Sequence, residues 1–209
     1  MVNKKIIEYV EQNIFPIYDE HIKCHGVEHI EYVIRRSLEF AKTVKDQPIN
    51  FDMVYVVAAY HDIGIMNDRA THEIIGAQIM MDDKNLDGFF TPEQKQVMKE
   101  AIEDHRASSK YEPRTIYGKI VSSADRRTCI DDGLRVCYRI RLNQAPESTL
   151  DEIVDDIIKY IPTKYGENGY GRGKTWFNDE EFYKHADEIT ELTKDRVKFK
   201  ERVMRANNI

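Results

Sequence analysis

Four histidines and two aspartates stand where the surrounding pattern calls for apolar side chains or helix ends: His29, His61, Asp62, His72, His105 and Asp125. His61 and Asp62 close the apolar run "FDMVYVVAAY", and His29 shares a helical face with Val33. His72 precedes Ile75, Gly76 and Ile79 at helical spacing, His105 continues the stripe Met98, Ala101 and Ile102, and Asp125 lies one turn beyond Val121. A His-Asp pair by itself says nothing, since 7 histidines among 209 residues give about 0.6 such pairs by chance. The six together say more, because unpaired buried polar groups are costly and buried carboxylates need a partner. A metal centre satisfies all of them at once. Imidazole and carboxylate without thiolate suit iron or manganese, with zinc, cobalt or magnesium as alternatives, and argue against a structural zinc site. Six ligands exceed one tetrahedral ion and suit two ions with an aspartate between them. Paired ions about 3.5–4 Å apart activate water and clamp a phosphoester in line.

The elements that must position these residues read as helix nearly everywhere, with no clear alternating strand. Residues 3–20 form a helix broken near Pro16. Over 26–45, Val27, Ile30, Ile34, Leu38 and Ala41 lie on one face and His29, Val33 and Phe40 nearly opposite, so this helix packs on two sides. Asn50 caps a central helix that is apolar almost all round, and Gly64 is its natural stop. Thr71 caps a helix through about Met81. "TPEQ" at 91–94 offers a capping box with proline at the first helical position, opening a helix to about His105. Further helices are expected over about 113–127, 129–141 and 147–161. An irregular Gly-rich segment then follows Pro162, and one long charged helix covers 178–206. The architecture predicted is all-α.

The motifs "HGVEHIEYV", "AAYHDIG" and "SSADR", in that order within a helical chain, resemble the HD superfamily of metal-dependent phosphohydrolases. In that family the ordered set H…HD…D holds the first metal, and position by position it falls on His29, His61, Asp62 and Asp125. His29 is chosen over His25 because the family's ligand sits four residues before a valine, here Val33. "HEIIGA" and "AIEDHR" match the extra ligands of dinuclear branches, placing His72 and His105 on a second ion with Asp62 bridging. The pattern is similar to bacterial diadenosine tetraphosphatase-like proteins. The resemblance implies an HD helical bundle over about 20–130, a C-terminal helical extension over about 131–209 and, overall, a single all-helical domain. It also implies hydrolysis of a nucleotide or another small phosphoester, with Asp62 and His61 at the catalytic centre. Ile65 stands where many dinuclear members carry a substrate-touching lysine, so the substrate stays open. A di-iron oxygenase on the same fold, or a non-catalytic nucleotide sensor, are the alternative readings.

His25, Arg69, Arg106, Arg126 and Lys174 are candidates for holding phosphate oxygens or substrate. "NGYGRGKT" nearly spells a phosphate-binding loop, but Asn168 occupies the first glycine position and no strand precedes it. A lid carrying Lys164, Arg172 and Lys174, or an ordinary connection, fits that segment better. His21 has no supporting pattern, and His185 is expected on the exposed face of the last helix. Net charge is -6 with the two signs interspersed, which argues against a polymeric nucleic-acid partner. Cys24, Cys129 and Cys137 form no CxxC pair and read as reduced thiols of a cytoplasmic protein. The charged, amphipathic start is unlike a signal peptide, and no membrane association is expected.

Overall fold

The computed structural model describes residues 1–21 and 26–209, and among them there are helices and turns but no strand. The chain divides into two compact units, Met1–Asp125 and Arg126–Ile209. The described residues are all-α, as the sequence predicts.

The first unit contains α1 (Lys4–Asn13), α2 (Phe15–His21), α3 (Val27–Thr43), α4 (Phe51–Tyr60), α5 (His72–Asp82), α6 (Pro92–Glu103) and α7 (Ile116–Ala124). A tight 3-10 turn, Ile63–Met66, joins α4 to the loop before α5. Helix α4 is the axis of the unit. The Asn50 side chain accepts hydrogen bonds from the amides of Asp52 and Met53, which fixes its start. Every residue from Met53 to Tyr60 is buried, because α1, α3, α5, α6 and α7 all pack against this helix. Each fully buried valine, such as Val54, Val56 and Val57, contributes about 1.5–3 kcal/mol relative to exposure.

Helix α3 buries residues toward both α4 and α7, as its two apolar faces predict. The capping box at Thr91–Gln94 forms as expected, with Pro92 opening α6. Two local expectations change. Thr71 precedes α5, but its hydroxyl donates to Asp68 Oδ2 at 2.7 Å and makes no helix cap. Gly64 is not a left-handed stop, since no described glycine has positive φ. It is required by proximity: a Cβ there would lie 2.2 Å from the His72 carbonyl oxygen and 2.7 Å from the Gly76 nitrogen. Gly76 reciprocates, leaving 3.0 Å between a Cβ and the Tyr60 carbonyl oxygen. The glycine pair lets the 3-10 turn seat on α5 backbone to backbone.

The second unit contains α8 (Ile130–Gln144), α9 (Leu150–Tyr165), α10 (Glu180–Leu192) and α11 (Arg196–Asn207), around a core that includes Ile153, Val154, Ile157, Phe182, Ile189, Phe199 and Val203. Helix α9 continues through Pro162 to Tyr165, four residues past the predicted stop; Pro162 sits in its last turn, where its carbonyl still accepts from the Gly166 amide. The long helix predicted over 178–206 is two helices. Three successive i→i−3 bonds tighten the chain at Thr193–Asp195, and the Asp195 side chain then accepts from the Lys198 amide to start α11.

The Gly-rich segment follows a helix, which removes the phosphate-loop reading. It folds back on the end of α9, the Tyr170 and Gly171 amides donating to the carbonyls of Thr163 and Lys164. A Cβ at Gly169 would lie 2.5 Å from the Lys164 carbonyl oxygen, so the glycines serve close approach within a connection. Among the described residues no helix is long and apolar enough to cross a membrane.

His185 is buried, not exposed. Helix α10 turns Phe182, His185, Ala186 and Ile189 onto the core, and the imidazole meets the Tyr165 ring edge-on at 5.3 Å. Neither ring nitrogen has a hydrogen-bond partner among the described residues. Burial, with Lys164 adding repulsion, pushes its pKa down from 6.5 to about 4. The unfolded chain takes up a proton below pH 6.5 and the folded chain does not until about pH 4, so stability is full above 6.5 and falls between these values. The loss amounts to about 3 kcal/mol. Urea unfolding followed by the fluorescence of Trp176, the single tryptophan, should show that much less acid destabilisation in His185→Leu than in the wild type.

Candidate metal centre

The six residues singled out by type and spacing converge within the first unit. His61 and Asp62 follow directly on α4, His29 lies in the first turn of α3, His72 opens α5, His105 follows α6 and Asp125 terminates α7. His61, Asp62, His72, His105 and His29 are all buried, and the Asp125 side chain is 25% exposed.

Asp62 is the centre of the arrangement. Its Oδ2 lies 3.6 Å from His29 Nε2 and 3.4 Å from His61 Nε2; its Oδ1 lies 3.2 Å from His72 Nε2 and 3.5 Å from His105 Nε2. One carboxylate oxygen therefore faces each histidine pair. Asp125 Oδ1 approaches His29 Nε2 at 3.2 Å. Two triads, His29–His61–Asp62 and Asp62–His72–His105, each place three donor atoms within 4.8 Å of one another; a third, His61–His105–Asp125, spans them.

The orientation of the rings comes from backbone carbonyls. Nδ1 of His61 bonds the Ala58 carbonyl at 2.7 Å, Nδ1 of His105 that of Ile102 at 2.7 Å, and Nδ1 of His72 that of Arg69 at 2.9 Å. Ala58 and Ile102 belong to the last turns of α4 and α6, where carbonyls have no partner within the helix. Each Nδ1 must therefore carry the hydrogen, which leaves the Nε2 lone pair aimed into the cluster, the tautomer a metal ligand needs. Tyr18 completes the end of α4 by donating its hydroxyl hydrogen to the Ala59 carbonyl at 2.8 Å.

Without a cation between them, these tautomers are electrostatically awkward. His72 Nε2 and His105 Nε2 stand 3.2 Å apart, lone pair toward lone pair when both rings are neutral. His61 Nε2 is buried with no hydrogen bond among the described residues. Burial alone would lower the His61 pKa, but Asp62 and then Asp125 outweigh it and hold it up at about 9. Burial would raise the Asp125 carboxyl, but the hydrogen bond and charge of His29, with His61, hold it well below the usual carboxylate range. A field that retains a proton so firmly also favours a divalent cation in its place. The donor set, four imidazoles and two carboxylates around shared space, fits a divalent-metal site.

The candidates for substrate contact are placed less uniformly. Arg69 is exposed in the loop before α5. Arg106 is engaged, its Nη1 donating to the Ala70 carbonyl at 2.7 Å and to both Glu73 carboxylate oxygens at 3.1 Å. Arg126 and Lys174 belong to the second unit, where Arg126 is buried, donates to the Lys174 carbonyl at 2.9 Å and lies over the Phe182 ring. His25 lies outside the described residues. Glu73 and the three carbonyl acceptors were not anticipated from sequence. The glutamate directly after a candidate ligand histidine is visible in the sequence, whereas carbonyl acceptors leave no mark in residue identity.

A helical unit that gathers an imidazole and carboxylate cluster at the ends of its helices defines a metal-binding all-α domain. Residues 26–128 match the family model of the HD domain. The chain belongs, through that segment, to the HD superfamily of metal-dependent phosphohydrolases. No curated relative and no solved structure matches the chain.

Proposed function

We propose that this protein hydrolyses a nucleotide or another small phosphoester at a dinuclear metal centre. In this reading His29, His61, Asp62 and Asp125 hold the first ion and His72 and His105 the second, with Asp62 shared. The observation that carries it is the division of Asp62, one oxygen toward each histidine pair. When bound, such an ion pair supplies Lewis acidity and an activated water for in-line attack on phosphorus.

The chain's own residues do the rest. Carbonyls of Ala58, Arg69 and Ile102 lock three imidazoles with Nε2 inward, so little reorganisation accompanies charge development. Burial of His61, Asp62 and His105 keeps solvent from the inner face, and the partly exposed Asp125 marks the side open to substrate. Ile65 brings no charge to the phosphate, which leaves the ions to offset it.

The test is phosphate release from a panel of mononucleotides, dinucleoside polyphosphates and simple phosphoesters by iron- and manganese-reconstituted protein, together with metal analysis. Wild type is expected to bind two ions per chain, and His105→Ala one, with turnover reduced on the order of 10²-fold or more. Unchanged stoichiometry in His105→Ala would remove the second ion from the reading. Oxygen consumption by the iron form without phosphate release would replace hydrolysis by the oxygenase chemistry.

A further inference from the structure

The two histidines of the second half-site come from separate helices, and one exposed-looking arginine ties those helices together. Arg106 is the residue immediately after His105. Its Nη1 donates to the Ala70 carbonyl at 2.7 Å and to Glu73 Oε1 and Oε2 at 3.1 Å each. Ala70 adjoins Arg69, whose carbonyl receives the His72 Nδ1 hydrogen. Glu73 follows His72 directly, and its Oε2 lies 3.4 Å from His72 Nδ1. The Glu73 side chain is 17% exposed and that of Arg106 33%, so the pair is partly shielded from water.

Two consequences follow. Geometrically, the clasp fixes the start of α5 against the residues after α6, and with them the 3.2 Å separation of His72 Nε2 and His105 Nε2. Electrostatically, the Glu73 carboxylate beside Nδ1–H makes His72 a stronger donor at Nε2, as outer carboxylates do behind ligand histidines. Neither residue touches His29, His61 or Asp125 in the contacts described, so the effect is confined to one half of the centre.

We propose that Arg106 and Glu73 are positioning residues that selectively set the affinity of the second, His72–His105 half-site. Arg106 is then a structural clasp of that half-site and not a phosphate-binding residue. The inference rests on the dinuclear reading above.

The experiment is cobalt(II) titration of the metal-free protein, followed by visible absorption and by metal content, on wild type, Glu73→Gln, Arg106→Gln, the double variant and His72→Ala. Glu73→Gln keeps the size of the side chain and removes its charge. The second ion is expected to bind about 10- to 100-fold more weakly in either single variant, with the first unchanged. The double variant should lose little more than either single one, because both act through one clasp. Thermal midpoints near that of wild type would separate this from general unfolding. Two ions with wild-type affinities in both single variants overturn the clasp and leave the dinuclear reading standing. A single ion in wild type, indifferent to His72→Ala, overturns both.

Discussion

Replacing Asp62 with alanine is expected to abolish both metal binding and turnover, the largest functional effect of any single substitution in this chain. Among the described residues Asp62 approaches all four of these histidines, with Oδ2 toward His29 and His61 and Oδ1 toward His72 and His105. Its removal leaves four Nε2 atoms around a space in which Asp125 is the remaining carboxylate of the six residues. In the proposed dinuclear centre the two ions would lose the shared negative charge that offsets their repulsion. Turnover of any phosphoester found by the panel should fall on the order of 10³-fold or more, and metal content to below one ion per chain. Retention of both ions, or of activity, in the alanine variant would show that the bridge is not what holds the centre together.

Gly64→Ala is the second, and acts through the backbone. The added Cβ meets two backbone atoms, the His72 carbonyl oxygen at 2.2 Å and the Gly76 nitrogen at 2.7 Å, neither of which can rotate away as a side-chain end could. The 3-10 turn and α5 must separate, moving His72 away from Asp62. A destabilisation of about 3 kcal/mol is expected, at the upper end for overpacking, together with loss of the second ion before the first. Gly88→Ala is the matched control. Nothing lies within 4 Å of a Cβ at Gly88, and its backbone does not need positive φ, so its stability should change by less than about 1 kcal/mol. Urea unfolding and metal analysis on both variants decide the point; a Gly64→Ala protein as stable and as metal-replete as the control would show that the turn tolerates a side chain.

Both expectations concern the same few residues, and these show where legibility in the sequence ended. The opening of α4 was legible because Asn50 is a strong cap and its apolar run has no polar face. The capping box of α6 was legible for a similar reason, since Thr91, Pro92 and Gln94 all act on their nearest backbone neighbours. His185 and Pro162 were misread because each was judged against its own helix alone. The charged helix that carries His185 turns that residue toward Tyr165, a partner 20 positions away in sequence, and Pro162 falls late enough in α9 that the turn survives it.

The candidate site divides along the same line. Residue type and helical spacing by themselves determined the helical class, the HD motifs and the six polar residues that have no local reason to be where they are. A metal-ligating chemistry followed from that list, because imidazoles and carboxylates on apolar faces need a common partner. Only the tertiary structure decided that Asp62 presents one oxygen to each histidine pair, that Gly64 is needed for contact and not for a turn, and that Arg106 is held by Glu73. The physical reason is that periodicity reports which face of a helix is buried, whereas distances between faces depend on how helices far apart in sequence pack together.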